Sequence, residues 1–202
     1  MKKILLGSCL LIAIALLVSA RWGTKAVNAP PQDELPATDT TLAMALSLPD
    51  MVSQSDVIAI GNVVETKSVW VDRTLVTLAT VSISENLKGS EASTITVELP
   101  GGIDANRKIP IAMSYPGAPS LTPGENTFLF LTATGEVAGS YNVTGFSQGK
   151  FSIVTDEDGE QVVTRNLTNT SLKSNNGVRR GGSDLMPLAN LKERVRGYLK
   201  NQ

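Results

Sequence analysis

Three apolar runs rich in β-branched residues, between Ser55 and Leu99, constrain the fold of this chain more than any other feature. Valine, isoleucine and threonine favour strands, whereas polar and glycine-containing breaks end them. We therefore predict three consecutive strands, at Val57–Val71, Leu75–Leu87 and Thr94–Leu99. The first opens with four apolar residues in a row, as is typical of a strand covered on both faces. Its Gly61 predicts a bulge or bend.

Weaker patterns predict further short strands on both sides of this stretch. They lie around Ile109–Met113 and at Thr127–Thr132, Ser140–Thr144, Lys150–Val154 and Gln161–Val163. Asp158-Gly159 between the last two is a hairpin signal, so we expect a type I′-like turn with Gly159 at positive φ. Before the first long strand, a period of two over Thr41–Leu48 predicts a half-buried strand whose apolar face carries Leu42 and Met44.

Two helices are predicted. Ser47-Leu48-Pro49-Asp50 has the pattern of a helix start, with Ser47 or Leu48 as N-cap, and the short helix runs to about Gln54 and buries Met51 and Val52. A C-terminal amphipathic helix is predicted over 187–202, because its leucines and Val195 share one stripe.

Seven or eight short strands with two modest helices indicate a mainly β fold, either a barrel or a small sandwich. The predicted organisation is 1–20 signal peptide or signal anchor, 21–40 disordered linker, 41–165 β-barrel domain, 166–186 polar loop and 187–202 helix. The linker is rich in proline, alanine and aspartate and has no apolar period. The segment 166–186 is polar and rich in glycine, which favours a loop or disorder.

The N-terminus has the pattern of an export signal. Met1-Lys2-Lys3 precedes an apolar run from Ile4 to Ala20, which ends in the small-residue site Val18-Ser19-Ala20. We expect cleavage after Ala20. The alternative is an uncleaved anchor, because the 17 residues from 4 to 20 are long enough to tether the chain to a membrane. In both cases the rest of the chain is exported, so we expect an extracytoplasmic location, periplasmic or secreted.

Residue types missing from the chain exclude several kinds of chemistry. There is no histidine, and the single cysteine, Cys9, lies in the predicted signal segment. A Ser-His-Asp triad, a histidine-ligated zinc site and a thiol nucleophile in the mature chain are therefore excluded. The 18 basic and 19 acidic residues provide no basic excess to neutralise phosphates, so we expect no nucleic-acid partner.

No catalytic residue, metal ligand or cofactor-binding residue is predicted. The acidic cluster Asp156–Glu160 favours a hairpin turn over a calcium loop, because the longer run of spaced carboxylates and the distal glutamate of such a loop are missing. A hydrolase that uses paired carboxylates or a Ser-Lys pair stays open as an alternative, although neither has an informative spacing here.

Loops and aromatic residues near strand ends are the candidates for partner recognition, because loops on a rigid scaffold are free to bind. The longest loop is Ser114–Asn126, which prolines stiffen. The candidate partner-binding residues are Trp70, Tyr115, Pro116, Gly117 and Pro119. For the two aromatic residues, packing against the end of a barrel is the alternative. We expect a non-enzymatic binding module for an extracytoplasmic protein or envelope component, with a loop-inserting protease inhibitor as a further alternative.

Short motifs between residues 48 and 165 resemble those of a group of exported bacterial proteins of unknown function. They are Ser55–Val64, Val81–Gly89, Pro100-Gly101-Gly102, Pro123-Gly124-Glu125 before Phe128–Leu131, and Gln148–Phe151. More distantly, the same order is similar to netrin-like modules and tissue inhibitors of metalloproteinases. The resemblance implies an OB-like Greek-key barrel with added strands and a flanking C-terminal helix. It does not extend to inhibition, because those inhibitors ligate the protease metal through an N-terminal cysteine and the mature chain here has none.

Overall fold

The computed structural model of the protein describes residues 40–89, 91–133 and 135–201. The predicted signal segment, and the predicted linker apart from Thr40, lie outside the described residues. The strands are β1 Thr41–Met44, β2 Val57–Val71, β3 Thr74–Lys88, β4 Thr94–Pro100, β5 Gly102–Asp104, β6 Ile111–Met113, β7 Asn126–Thr132, β8 Ser140–Val143, β9 Lys150–Thr155, β10 Gln161–Asn166, β11 Thr170–Ser174, β12 Gly177–Arg180 and β13 Ser183–Pro187. The helices are α1 Leu48–Gln54 and α2 Leu188–Leu199.

The prediction of a mainly β fold with two short helices is confirmed. The largest sheet has the strand order β13-β10-β9-β7-β2-β3-β4-β8, and β8 also pairs with β7. The strands β7, β2, β3, β4 and β8 therefore pair in a closed ring, in which only the β4–β8 pair is parallel. A three-stranded sheet β1-β11-β12 and the small hairpin β5-β6 complete the described strands. None of the helices in the described part of the chain is both long enough and apolar enough to cross a bilayer.

Residues 57–61 of β2 and 127–131 of β7 are buried on both faces, as the apolar opening of the first run predicts. One face contributes to a helix-side core, formed by Met51, Val52, Ile58, Ile60, Phe128, Phe130, Phe151, Ile153, Val163, Leu188, Leu191 and Val195. The other contributes to a ring core, formed by Val57, Ala59, Val63, Ala79, Val81, Ile95, Val97, Leu99, Leu121, Leu129, Leu131 and Val143. Alternating side chains of the same two strands thus join both cores.

The three central strands lie where the sequence predicts them. β2 has the predicted bounds, β3 is one residue longer than predicted at each end, and β4 is one residue longer at its C-terminal end. The pairing of β2 with β3 shifts register between Ile60 and Gly61, which confirms the predicted irregularity. A Cβ at Gly61 would lie 2.5 Å from the carbonyl oxygen of Ser82, so the close approach of these strands requires glycine.

Helix α1 also begins as predicted. Ser47 is its N-cap: the Ser47 hydroxyl accepts from the Asp50 amide, and the Asp50 carboxylate accepts from the Ser47 amide at 2.9 Å. This reciprocal capping box satisfies two amides that the helix itself leaves unpaired. Met51 and Val52 are buried, as expected.

The predicted strand over Thr41–Leu48 is wrong in its length and in its facing. β1 ends at Met44, and Leu42 and Met44 are 53% and 61% exposed. A buried side chain ends the strand: the Gln148 side-chain amide accepts from the Leu46 N–H at 2.9 Å and donates to the Met44 carbonyl at 2.7 Å. Gln148 thus takes the place of a neighbouring strand, and Ser47 starts the helix directly afterwards.

The predicted polar loop over 166–186 is also wrong, because the segment forms β11, β12 and most of β13. Asn175 and Asn176 make the turn between β11 and β12, and Gly177 follows them in the left-handed region, at φ +104°. Asparagine and glycine are typical turn residues, and the polar composition of the flanking residues hides this signal.

The hairpin between β9 and β10 confirms one part of its prediction and corrects another. Gly159 has φ +85°, as predicted, but neither Glu157 nor Asp158 has a positive φ, so the turn is not type I′. The Gly159 amide donates to the Asp156 carbonyl at 3.1 Å, the pattern of a type I turn followed by a left-handed glycine. Three residues separate the last paired positions, Asp156 and Glu160, whereas a type I′ turn would have two.

Replacing Gly159 with alanine tests this turn. A Cβ there would meet no atom within 4 Å, so the cost is purely conformational. We expect Gly159→Ala to destabilise by about 1 kcal/mol, because a left-handed backbone is unfavourable for alanine. Gly197→Ala is the matched control, since Gly197 is an exposed α2 residue that also has open space around its Cβ position. It should stabilise by about 0.5–1 kcal/mol. Urea unfolding midpoints measure both, and equal shifts of the same sign would contradict the assigned turn.

Candidate functional site

Two Pro-Gly turns shape the connection between β6 and β7, which is called the proline-rich loop here (114–125). In the first, the Ala118 amide donates to the Tyr115 carbonyl at 3.1 Å, and Gly117 has φ +68°. In the second, the Glu125 amide donates to the Thr122 carbonyl at 2.9 Å. A proline followed by a left-handed glycine is the pattern of a type II turn. The loop therefore folds back on the body of the protein.

Close contacts hold the first turn against the body. A Cβ at Gly117 would lie 2.5 Å from both the Asn169 carbonyl oxygen and the Thr170 hydroxyl, so only glycine permits this approach. The Thr41 hydroxyl donates to the Pro116 carbonyl at 2.5 Å. Pro119 is buried at the base of the loop, and Leu121 enters the ring core.

A cleft of about 540 Å³ lies between this loop and strands β9 and β10. Four of the five predicted partner-binding residues line it: Tyr115, Pro116, Gly117 and Pro119. Tyr115 is 40% exposed, and its ring has no aromatic contact with any described residue. The body contributes polar side chains from β9, from β10 and from the turn before β11. This volume is within the usual range of ligand sites, about 300–1,000 Å³.

Trp70 lies elsewhere. Its indole N–H donates to the Asp104 carboxylate at 2.8 Å, and the Arg107 guanidinium lies 5.0 Å from its ring centroid. The hydrogen bond from Trp70, and then that from Arg107, hold the pKa of Asp104 below its ordinary value. The residue predicted as a second recognition point thus joins the β2–β3 hairpin to β5, and it is not among the residues lining the cleft.

The two charged residues lining the cleft are paired within the protein. Lys150 lies 2.5 Å from the Glu125 carboxylate and 2.7 Å from the Ser152 hydroxyl, which itself donates to Glu125. Arg165 forms an ion pair with Asp184, and its guanidinium lies 4.6 Å from the centroid of the Phe151 ring. The cleft is therefore polar without an unpaired charge among its lining side chains.

Glu125 connects the loop to the floor of the cleft. Burial alone raises the pKa of this carboxyl group, but hydrogen bonds from Lys150 and Ser152, together with the charge of Lys150, outweigh burial. The pKa of Glu125 consequently lies below its ordinary value. The ionised carboxylate is the form that holds the end of the proline-rich loop against β9.

Four other lining side chains have no hydrogen-bond partner among the described residues: Ser114, Ser120, Thr164 and Asn169. Sequence reasoning missed the body side of the cleft, because these residues meet only in the folded chain. The Asp-Gly signal predicts that β9 lies beside β10, but a two-residue turn would place Ile153 opposite Thr164, whereas the three-residue turn places Ser152 there.

A larger cleft of about 1060 Å³ lies between α2 and the β9–β10 turn. Two of its cations, Lys192 and Arg196, bind Glu85 at 2.6 and 2.8 Å. It contains none of the predicted partner-binding residues and no aromatic side chain. The smaller cleft is therefore the better candidate site.

Comparison with models of protein families, with curated proteins and with solved structures found no match. Within the described ranges, no group of three or more acidic, cysteine or histidine residues is arranged to hold a metal ion. The geometry of the cleft is consequently the main indication of function.

Lowering the pH tests the role of Glu125. Because its pKa is depressed by folding, its contribution to stability is complete at neutral pH and is lost as the pH falls below about 4.5, the ordinary value, through the folded value. We expect Glu125→Gln to lower the free energy of unfolding by about 1–3 kcal/mol at pH 7. The difference from the wild type should shrink in acid.

Urea unfolding over a range of pH measures this effect. Glu193→Gln, at an exposed position of α2, is the control and should follow the wild type at every pH. A Glu125→Gln deficit that stays constant down to the acid limit would show that the carboxylate does not hold the loop.

Proposed function

We propose that the protein is an exported, non-enzymatic binding module that recognises a protein or envelope component through loops on an OB-like barrel. The observation that carries this proposal is the polar cleft under the proline-rich loop. Its walls are held rigidly, yet it presents four polar side chains without partners among the described residues. Rigid walls with accessible polar groups favour binding, because little order is lost when a ligand occupies them.

The pairing order supports the barrel in this proposal. β2, β3 and β4 follow one another in the ring, β8 pairs in parallel with β4, and β7 closes the ring between β8 and β2. This is the strand order of a five-stranded Greek-key barrel. The cleft lies beneath the connection between the third and fourth ring strands, whereas OB-folds commonly bind through their second and third strands and the loops beside them.

One contact favours hydrolysis as a second candidate function, since Ser152 and Lys150 are 2.7 Å apart inside the cleft. A Ser-Lys pair needs a neutral amine that accepts the serine proton. Here the Ser152 hydroxyl donates to the Glu125 carboxylate at 2.7 Å, and Lys150 lies 2.5 Å from the same carboxylate. The Ser152 proton is thus directed at the carboxylate and not at the amine, which favours binding over hydrolysis.

The third candidate, a protease inhibitor that inserts a loop, has less support. Such a loop must project far enough to enter the cleft of a protease. The first turn instead packs on Asn169 and Thr170 through Gly117, and Leu121 is buried in the ring core. The contacts favour a loop that forms the wall of a site.

Tyr115→Ala tests the proposed function. Tyr115 is 40% exposed and lies outside both hydrophobic cores, so we expect the Tm to stay within about 2 °C of the wild type. Capture of envelope material by the immobilised exported chain should fall about tenfold, because exposed aromatic residues anchor interfaces. Quantitative mass spectrometry of the captured material measures the loss.

Ile109→Ala is the matched control, because Ile109 is 77% exposed and does not line the cleft. It should capture as much as the wild type. Equal capture by Tyr115→Ala and the wild type would refute recognition through this loop. A large fall in Tm for Tyr115→Ala would show that Tyr115 packs structurally instead.

A further inference from the structure

The polar groups that the cleft offers to a ligand are neutral. Ser114 and Ser120 on the loop, and Thr164 and Asn169 on the body, present three hydroxyls and one amide without side-chain hydrogen bonds to described residues. Hydroxyls both donate and accept, and an amide does the same through its two ends. The cleft is therefore equipped for a ligand that carries many groups of mixed donor and acceptor character.

The charged side chains argue against an anionic ligand. Lys150 is held by Glu125 and Arg165 by Asp184, and no other charged side chain of the described residues lines the cleft. A phosphate or sulfate would have to compete with a carboxylate for each cation. Breaking a hydrogen-bonded, partly buried ion pair is unfavourable, because the displaced carboxylate loses its partner.

The strands beneath the cleft argue against a peptide. β9 pairs with both β7 and β10, and β10 pairs with both β9 and β13, so neither offers a free edge for strand addition. Apart from Tyr115, the apolar lining consists of small or proline residues, which form no pocket for a large apolar side chain.

Tyr115 supplies an aromatic ring at the cleft. The residue is 40% exposed, and Pro116 stiffens the backbone next to it. A sugar ring has one face of C–H groups, which packs on an aromatic face, and a rim of hydroxyls, which hydrogen-bond to serine, threonine and asparagine. We propose that this cleft binds a neutral saccharide. The inference rests on the proposed function, because it names the ligand class of the same site.

Titration with defined oligosaccharides, followed by amide NMR, tests the proposal. The probes are chitotetraose, cellotetraose and maltotetraose, with a heparin tetrasaccharide as the anionic comparison. We expect saturable binding of at least one neutral probe, with shifts confined to residues 114–120, 147–152 and 164–169. The heparin fragment should cause no saturable shift there.

Variants separate specific contacts from weak surface binding. Thr164→Val removes one unpaired hydroxyl without changing the shape of the side chain and should weaken binding about fivefold. Thr94→Val alters an exposed threonine outside the cleft and should leave binding unchanged. Tyr115→Phe should keep the affinity that Tyr115→Ala loses, because only the ring is required.

The proposal is overturned if none of the three neutral probes binds saturably, if the shifts lie at α2, or if Thr164→Val and Thr94→Val behave alike. Stronger binding of the heparin fragment in the cleft would overturn it as well. If no saccharide binds but Tyr115→Ala still abolishes capture of envelope material, the binding module stands and the saccharide is wrong. If both experiments fail, both proposals are wrong.

Discussion

The antiparallel pair β2–β7 is the contact on which the rest of the structure depends. Ile58 lies opposite Phe130 and Ile60 opposite Phe128, and these side chains fill the helix-side core. The intervening residues of both strands fill the ring core. Each fully buried side chain of this size contributes about 1.5–3 kcal/mol, so two strands with two buried faces account for a large share of the stability. At the paired positions, all residues except Asn62 and Asn126 are buried, so we expect recognition elsewhere on the surface.

A band of buried polar contacts connects this core to the cleft. The Gln148 amide ties the backbone before α1 to the turn before β9, and it is only 1% exposed. Its neighbour Ser147 lines the cleft, and the Ser147 and Thr170 hydroxyl oxygens are 3.3 Å apart. Gly117 packs closely against the same Thr170 hydroxyl. Buried amides and hydroxyls are costly unless they are paired, so such contacts specify one arrangement. The walls of the cleft are therefore set by the same contacts that close the fold.

The sequence predicted what depends on strong local patterns. β2 was predicted to the residue because its apolar run is long and a polar turn ends it, and Tyr115 was placed correctly on an exposed loop. β11 and β12 were missed because neither alternates: three consecutive residues of β11 are buried, two of them polar, and all four residues of β12 are exposed. β1 was predicted too long because the Gln148 contact that ends it comes from about a hundred residues further along the chain. The body side of the cleft was missed for the same reason, since serine, threonine and asparagine become a site only when distant strands meet.

Hydrogen–deuterium exchange of the exported chain, with and without an extract of its host's envelope, measures most directly where recognition occurs. Occupied sites exchange more slowly because the ligand suppresses local opening. Recognition in the cleft predicts slower exchange in residues 114–120 and 164–170, with α2 and β12 unchanged. Unchanged exchange in the proline-rich loop, together with protection confined to α2 or to β12, would contradict the assignment of this cleft as the binding site.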